Sequence, residues 1–426
     1  MTTDRRNFLK LIGVGGVGAS IAACGAPGAG LDKSAGRRVV VVGGGFGGTI
    51  AAKYIRMLDK SIEVVLIEQN RQFIGCPFSN LYIGGLMPDL STLTIGYDTL
   101  AARHGIKVIY DSVTAIDPAK KTVTVSGGTV IDYDRLVLSP GVDFRPEELE
   151  GYDLATTPQI MPHAWKAGPQ TLLLRKQLVD MPDGGTVVLT VPLAPFRCPP
   201  GPYERTSMIA MYLKQHKPKS KIVVLDANPD IASKAGLFRK GWKKHYEGII
   251  QYRSAQKVTA VSVKNHSVFI EGMEEVKGDV INVIPPQRAG RIASVAGLIG
   301  PDKAWCPVNG TTFESSLQKN IHVIGDACIA GAMPKSAYSA NSEAKICASN
   351  LVALMNGKEI VDMSGINVCY SFLSANEAVS VAGVYAVKEG QIVAMPNSGG
   401  VSPDLSETEA IYARSWLKNI LTEMSS

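Results

Sequence analysis

The feature that most constrains the fold of this chain is a run of four valines that leads into a glycine-rich turn. Residues 39–42 predict a buried strand, and residues 43–48 fit the pattern Gly-x-Gly-x-x-Gly. Gly43 permits a tight turn, Gly45 lets a pyrophosphate approach the backbone, and Gly48 lets the next helix pack closely on the strand. Because that helix, predicted at 49–58, points its positive end at the turn, the unit predicts a dinucleotide site.

Three further residues extend this predicted site. Glu68 ends the next predicted strand, 62–68, where a carboxylate accepts hydrogen bonds from ribose hydroxyls. Phe46 lies within the glycine turn, and Gly141 lies in a tight turn after a predicted buried strand at 135–138. We expect Phe46 and Gly141 to contact the cofactor as well.

The first residues of the chain predict export. Arg5-Arg6 precedes a weakly apolar stretch, 11–23, in the manner of a twin-arginine signal, whose route carries folded proteins. Cys24 is either a lipidated mature N-terminus or a chance cysteine before a cut at 29–35. We therefore expect a periplasmic holoprotein, with Cys24 as its candidate lipid tether. Because no recycled NAD(P)H pool exists outside the cytoplasm, the expected dinucleotide is FAD.

A second turn completes the predicted flavin site. Gly325 and Asp326 follow another apolar strand, as does the aspartate that binds the ribityl chain in two-domain flavoproteins. The next helix begins near residues 334–336 and is expected to aim its N-terminus at the flavin. That dipole, together with Lys335, would stabilise an anionic reduced flavin.

A second strand–helix–strand unit, predicted at 186–191, 203–215 and 221–226, lacks the glycine pattern. Its turn, 192–202, holds five prolines, which have no N–H to offer a pyrophosphate. NAD(P)H binding is therefore disfavoured, and the loop presents Cys198, with Glu204 six residues further on.

The proline-rich loop also carries a resemblance to a known family. From about residue 36 to its end the chain resembles the flavoprotein subunit of flavocytochrome c sulfide dehydrogenase. The motifs that carry the resemblance are FRCPPGPYER at 196–205, HAWKAG at 163–168, IPPQRAG at 284–290, GDACIA at 325–330, SANS at 339–342 and the run Cys369-Tyr370-Ser371.

The resemblance implies roles for individual residues. Cys76 matches the position that joins the flavin through a thioether, and Cys198 and Cys369 match a redox-active disulfide over the flavin ring. Sequence spacing alone does not pair these two. Trp416 matches a residue on the flavin side of the junction with a cytochrome subunit. Glu204 is placed to handle a proton near the reactive sulfur, or else is only an acidic residue at a helix N-terminus.

The expected fold is α/β and glutathione-reductase-like, with two dinucleotide-binding-like units and a small C-terminal α+β domain. Residues 1–36 are assigned to the signal and linker, and 37–150 with 265–350 to a discontinuous FAD-binding domain. Residues 151–264 form the second unit, without an NAD motif, and 351–426 form a C-terminal interface domain.

Composition argues against other classes of function. The chain has 426 residues, 19% of them charged, and a net charge of +6, which makes no case for nucleic acid. No stretch after the signal reaches the ~18 consecutive apolar residues of a membrane helix. The seven cysteines form no Cys-x-x-Cys and the histidines lack metal-ligand spacing, so neither a metal site nor a haem is expected on this chain. Cys306, Cys328 and Cys347 are expected to be core thiols.

The predicted function is that of a periplasmic sulfide dehydrogenase flavoprotein. Hydrosulfide would open a Cys198–Cys369 disulfide over FAD, and electrons would pass to haem c on a cytochrome subunit in a heterodimer. One alternative is a sulfide:quinone oxidoreductase, although residues 416–426 are short and only mildly apolar. The other alternative is a non-enzymatic exported flavin electron carrier, which the two matching cysteines disfavour.

Overall fold

The computed structural model describes residues 36–272 and 274–426, so the twin-arginine signal and Cys24 lie outside the described residues. The strands are, in chain order, β1 (Arg38–Val42), β2 (Glu63–Ile67), β3 (Gln72–Ile74), β4 (Thr94–Gly96), β5 (Lys107–Ile109), β6 (Val113–Asp117), β7 (Thr122–Val125), β8 (Val130–Asp132), β9 (Arg135–Leu138), β10 (Val142–Phe144), β11 (Thr186–Val191), β12 (Lys221–Asp226), β13 (Ile250–Arg253), β14 (Val258–Ser262), β15 (Ser267–Ile270), β16 (Glu275–Lys277), β17 (Val280–Val283), β18 (Gln287–Ala289), β19 (Cys306–Pro307), β20 (Ile321–Val323), β21 (Cys328–Ile329), β22 (Gly365–Phe372), β23 (Ala378–Lys388), β24 (Gln391–Ala394) and β25 (Gly400–Val401).

The α-helices alternate with these strands. They are α1 (Gly48–Leu58), α2 (Ser79–Ile83), α3 (Asp98–His104), α4 (Pro169–Asp180), α5 (Gly201–His216), α6 (Ala235–Tyr246), α7 (Arg291–Val295), α8 (Ala337–Met355) and α9 (Glu407–Ser425). Short 3-10 turns lie at Ser91–Leu93, Pro146–Glu148, Thr157–Gln159 and Gly325–Ala327.

The first sheet is a parallel layer with the strand order β20-β9-β1-β2-β5. Its centre is the valine run, in which Val40 pairs with Val65 on one side and Leu136 on the other. Val39, Val40 and Val41 are completely buried, as expected for a central parallel strand covered on both faces. Because β20 returns to the edge beside β9, this sheet is assembled from two separate segments of the chain.

The glycine turn after β1 is sterically fixed. Gly43 has a φ of 100°, and a Cβ on Gly48 would lie 1.8 Å from the Gly43 carbonyl oxygen. Only glycine permits this contact between the end of the strand and the start of α1. The turn therefore has the form that the sequence pattern predicts.

The second sheet is also parallel, with the order β13-β12-β11-β17. The proline-rich loop follows β11 and leads into α5, which begins at Gly201, two residues before the predicted start. Pro202 explains the earlier start, because proline favours the first helical turn, where its missing N–H costs nothing.

The C-terminal region is an antiparallel sheet in which β23 pairs with β22, β24 and β25. Helix α8 begins at Ala337, directly after the predicted start at 334–336, because the Ser336 side chain caps it by accepting from the Ser339 amide. Along α9 the residues that face the protein are buried, and they are Ala410, Ala413, Leu417, Ile420, Leu421 and Met424. The structure confirms the α/β class, and the predicted domain boundaries stay a prediction.

Candidate functional site

A cleft of about 1060 Å³, open solvent included, lies where the first sheet, the proline-rich loop and β22 meet. Three of the predicted cofactor turns form its floor, since Gly45, Phe46, Gly141, Gly325 and Asp326 all line it. The carboxyl ends of parallel strands are the usual ligand-binding edge of such a sheet. The structure therefore brings the separate glycine turns to one site.

The floor is shaped for close approach of a ligand. An added Cβ at Gly45 would meet nothing nearer than the Phe73 ring at 3.5 Å, so this position opens towards the cleft. In contrast, Gly43 and Gly48 are closed against backbone atoms and lie behind the lining. Gly45 thus provides the bare backbone that a pyrophosphate needs, and the other two glycines hold the turn.

Asp326 is the clearest polar anchor in the cleft. Its Oδ1 atom is buried without a hydrogen-bond partner among the described residues. Burial raises the pKa of its carboxyl, and the charges of Arg197 and Lys335 act in the opposite direction. A buried oxygen that lacks a donor is costly, so this atom fits a ligand that brings a hydroxyl group.

Backbone carbonyls hold the Lys335 ammonium, and Lys335 is not among the residues that line the cleft. Its Nζ atom donates to the carbonyl oxygens of Asp326, at 3.0 Å, and Cys328, at 2.7 Å, and lies 3.9 Å from the centre of the Trp305 ring. These carbonyls draw the ammonium behind the Gly325 turn. Lys335 therefore holds the turn that presents Asp326, and its predicted stabilisation of a reduced flavin stays a prediction.

Glu68 lies at the end of β2, beside the first glycine turn. Its Oε2 atom accepts from the Gly44 amide at 2.7 Å, and its Oε1 atom accepts from the Asn70 amide at 2.9 Å. The carboxylate is thus positioned at the turn, outside the residues that line the cleft. Its contact with a ribose stays a prediction.

Three cysteines from distant segments line the same cleft, and they are Cys76, Cys198 and Cys369. All three are free thiols in the structure, so the Cys198–Cys369 disulfide stays a prediction. Cys198 has a φ of 56°, an uncommon conformation for a residue with a side chain, and its amide donates to the Lys335 carbonyl at 2.7 Å. This backbone bond fixes the loop that carries the thiol against the floor of the cleft.

Glu204 connects α5, which follows the Cys198 loop, to β22, which carries Cys369. Its Oε2 atom accepts from Asn80 Nδ2 at 2.7 Å, and its Oε1 atom accepts from the Phe372 amide at 2.9 Å. Burial raises the pKa of this carboxyl, although these two donors and the nearby Lys234 oppose the shift. Glu204 therefore contacts the cleft and also ties α5 to β22.

Sequence reasoning missed Arg205, the residue after Glu204. Arg205 is almost fully buried and donates to Asn80 Oδ1 at 3.0 Å and to Asn282 Oδ1 and the His163 carbonyl at 2.9 Å. Its guanidinium lies 5.1 Å from the centre of the Trp165 ring. The charge inside the motif at 196–205 was a signal that could have identified it.

An aromatic group forms one wall of the cleft. Trp416 on α9 lies 5.9 Å from Phe78, 6.1 Å from Tyr370 and 6.3 Å from Tyr338, measured between ring centres. Trp416 is half-buried and lines the cleft, so it connects the interior of the site to the outer face of the protein.

The residues of the cleft fit an FAD cofactor. Gly45 leaves room for a pyrophosphate, the unpartnered Asp326 oxygen suits a ribityl hydroxyl, and the Cys76 thiol lies in the same space. Cys198, Cys369 and Glu204 also line the cleft, and they carry two thiols and a carboxyl group that would lie near a bound flavin.

Comparison with known families gives three matches along the chain. Residues 37–167 match the pyridine nucleotide-disulphide oxidoreductases. Residues 171–285 match the central part of the sulfide dehydrogenase (flavocytochrome c) flavoprotein chain, and residues 362–424 match the flavin-binding part of flavocytochrome c sulphide dehydrogenase.

Individual relatives agree with these matches. A 44-residue segment is 64% identical to the sulfide dehydrogenase (flavocytochrome c) flavoprotein chain of Chlorobaculum thiosulfatiphilum, covering 10% of this chain and 92% of that sequence. Over 331 residues the chain is 25% identical to the mitochondrial sulfide:quinone oxidoreductase of Dictyostelium discoideum, covering 74% of this chain and 70% of that one.

The fold also matches solved structures. The sulfide:quinone oxidoreductase of Aquifex aeolicus superposes with a TM-score of 0.76 at 19% identity, over 91% of each chain. The putidaredoxin reductase–putidaredoxin complex gives a TM-score of 0.64 at 17% identity, over 92% of this chain and 96% of that one. Family and fold together show that this chain belongs to the flavocytochrome c sulfide dehydrogenase flavoprotein chains, a family of sulfide-oxidising, FAD-binding oxidoreductases.

Proposed function

We propose that this chain is the periplasmic flavoprotein subunit of a sulfide dehydrogenase that delivers electrons to a c-type cytochrome. The observation that carries the proposal is that Cys76, Cys198 and Cys369, far apart in sequence, line one cleft with Asp326 and Gly45. A cysteine pair beside a flavin site offers an electrophilic sulfur when oxidised and a thiolate when reduced.

Cys198 and Cys369 form the substrate-reactive disulfide in this proposal. Hydrosulfide attacks one of the two sulfurs, the S–S bond breaks, and a new S–S bond joins the substrate sulfur to that cysteine as a persulfide. The electron pair of the broken bond leaves on the other cysteine as a thiolate. When bound, FAD supplies the two-electron acceptor for this oxidation.

Glu204 is proposed to accept the proton that the substrate loses. It lines the cleft, and burial is the main reason that the pKa of its carboxyl is raised, with hydrogen bonds from the Phe372 amide and Asn80 opposing. A carboxyl whose pKa lies nearer to neutrality exchanges protons more effectively at the operating pH.

Cys76 is proposed to hold the flavin through a thioether. Cys76 lines the cleft, and the Ser79 amide, at 3.1 Å, and hydroxyl, at 2.8 Å, both donate to its carbonyl oxygen. Burial raises the pKa of its thiol, and the charge of Arg197 acts in the opposite direction.

The partner and the compartment belong to the same proposal. The similarity to a flavocytochrome chain supports a cytochrome subunit in a heterodimer, with Trp416 and its aromatic neighbours on the path towards it. The Arg5-Arg6 signal supports export, with either lipidation at Cys24 or cleavage at 29–35. Periplasmic recovery that persists after Arg5 and Arg6 are both changed to Lys would contradict the twin-arginine route.

The decisive experiment compares Cys198→Ser and Cys369→Ser with Cys347→Ala, a change at a buried thiol of α8 away from the cleft. Anaerobic mixing with hydrosulfide should bleach the flavin in the wild type and in the Cys347 control, but in neither serine variant. FAD content should stay normal in all of them.

A purely structural bridge predicts a different pattern. Loss of such a bridge typically costs ~2–5 kcal/mol of stability and leaves the chemistry intact below the melting temperature. Near-normal bleaching together with a lowered melting temperature in the serine variants would therefore overturn the redox role.

Quinone is the second candidate acceptor, because the similarity to sulfide:quinone oxidoreductases covers 74% of this chain. Against it, most apolar residues of α9 pack onto the protein, with only Ile411 and Tyr412 exposed, and the Glu423 carboxylate near its end accepts from the Tyr54 hydroxyl of α1 at 2.9 Å. Among the described residues no helix is both long and apolar enough to cross a bilayer.

A further inference from the structure

The strand that carries Cys369 presents a polar stripe. Asn367, Cys369 and Ser371 alternate along β22 and so share one face of the strand. The Cys369 thiol lies 3.6 Å from Asn367 Oδ1, and that same oxygen accepts from the Ser336 hydroxyl at 2.6 Å. The Cys369 sulfur is therefore surrounded by polar groups.

A buried lysine completes this stripe. Lys234, just before α6, is 6% exposed and adopts a φ of 60°, an uncommon conformation for a lysine. Its Nζ atom donates to the Ser371 hydroxyl at 2.9 Å and lies 3.5 Å from the Cys369 carbonyl oxygen. Over the part of the chain that is described, no carboxylate forms a salt bridge with this ammonium.

A buried ammonium without a paired carboxylate is expensive to maintain. Among the charges that act on it, that of Cys369 is the largest, followed by those of Glu204, Cys198 and Glu409. Burial lowers the pKa of Lys234 itself, and these negative groups raise it. The arrangement is understandable if a negative charge develops on Cys369 during turnover.

The two sulfurs of the pair differ in their surroundings. Burial raises the pKa of both thiols, but at Cys369 the charge of Lys234 and hydrogen bonding with Ser336 and Asn367 oppose that rise. At Cys198 the neighbouring acidic groups, Cys369 first, add to the rise, and the charge of Lys234 opposes it by less than any of them adds. The rise in pKa is therefore larger at Cys198 than at Cys369. In thiol–disulfide exchange, the sulfur with the lower pKa is the better leaving group.

We propose that Lys234 is a positioning residue that makes Cys369 the leaving thiolate, so that hydrosulfide bonds to Cys198. The inference rests on the proposed function and adds the direction of attack. The Cys198–Cys369 bond breaks, its electron pair moves to the Cys369 sulfur, and the substrate sulfur forms the new bond to Cys198. Lys234 stabilises the released anion through the field of its ammonium and takes no part in bond making.

The test maps the substrate sulfur on the holoprotein. Oxidised wild type is mixed with one equivalent of hydrosulfide, quenched with an alkylating reagent, and digested for peptide mass analysis. The Cys198 peptide should carry the extra sulfur with an alkyl group on it, and the Cys369 peptide should carry an alkyl group and no extra sulfur. Extra sulfur on Cys369 would overturn the inference.

Variants of Lys234 test its part in this selectivity. Lys234→Met should spread the extra sulfur over both cysteines and slow persulfide formation roughly tenfold, because the leaving thiolate loses its cation. Lys234→Arg should restore the wild-type map. The matched control is Lys240→Met, which removes an exposed α6 lysine paired with Asp404.

Ser371→Ala provides a second variant, and peptide mapping before sulfide addition provides a second measurement. If Lys234→Met fails to fold, Ser371→Ala is used, because it removes the hydroxyl that holds Nζ. This variant should also move extra sulfur from Cys198 to Cys369, but a smaller fraction of it. An unchanged map in the folded variant would contradict the inference. Peptide mapping before sulfide addition separates the two proposals, since unpaired Cys198 and Cys369 would overturn the proposed function itself, whereas a paired bridge attacked at Cys369 would overturn only the direction of attack.

Discussion

Cys76 provides a direct test at the level of one side chain. We expect the flavin to stay with wild-type protein after acid precipitation, because a thioether survives unfolding, and to be released from Cys76→Ala. The absorbance of pellet and supernatant is the measurement, and Cys347→Ala, at another buried thiol, is the matched control. A yellow supernatant from the wild type would show that the bond is absent.

Glu343 on α8 gives a prediction of pH dependence. Its Oε2 atom accepts from the Gly325 amide at 2.6 Å, and burial raises the pKa of its carboxyl from 4.5 to about 7, with the Gly325 bond opposing and Asp326 adding. Because the pKa of Glu343 is higher in the folded protein than in the unfolded chain, the folded protein binds this proton more tightly. Its contribution to stability is complete below pH 4.5 and is lost as the pH rises through about 7.

We therefore expect Glu343→Gln, which keeps an acceptor for the Gly325 amide, to remove this dependence. Relative to wild type, the variant should gain stability between pH 5 and pH 8 by up to about 3 kcal/mol. Denaturant unfolding of both proteins at several pH values measures the difference. A difference that does not vary with pH would show that folding does not raise the pKa of Glu343.

The loop after β11 determines whether the second strand–helix–strand unit can bind a pyridine nucleotide. Where a second dinucleotide would lie, Asp226 at the end of β12 accepts from the hydroxyls of Tyr203, at 2.7 Å, and Tyr252, at 2.9 Å. Asn228 fills the adjacent space, donating to the Pro192 carbonyl at 3.0 Å and accepting from the Ala194 amide at 2.9 Å. These internal hydrogen bonds occupy polar groups that would otherwise be free to bind a pyridine nucleotide.

We accordingly expect neither NADH nor NADPH to reduce the flavin at a useful rate. Anaerobic stopped-flow mixing measures this, with hydrosulfide on the same sample as the positive control. Bleaching by NADH within seconds would contradict the assignment and favour an enzyme of the disulfide-reductase type.

The electron acceptor is a property of the whole molecule. With hydrosulfide as donor, we expect the purified chain to reduce a c-type cytochrome much faster than a short-chain quinone. The reason is that α9 presents Trp416 at the cleft while most of its other apolar residues pack onto the protein. Recovery of a haem-staining partner from periplasmic extracts would agree, and faster quinone reduction would select the second candidate function.

Features encoded in consecutive residues are predictable from the amino-acid sequence alone. The valine run and its turn depend on local sterics, since a Cβ on Gly48 would strike the Gly43 carbonyl at 1.8 Å, so pattern and conformation are inseparable. The second unit is likewise recognisable from its prolines, which lack the amide that a phosphate needs. The α/β class follows from such local units, because buried parallel strands and their helices have distinct sequence patterns.

Features that depend on contacts between distant segments could not be predicted from the amino-acid sequence. No spacing in the sequence places Cys198 beside Cys369, and their proximity arises because α5 and β22 pack together through Glu204. The contacts of Lys335 could not be predicted, because backbone carbonyls that only the folded chain assembles attract its ammonium. Lys234 was missed for the same physical reason: a lysine gains a chemical role only when folding strips it of water and sets it against another charge.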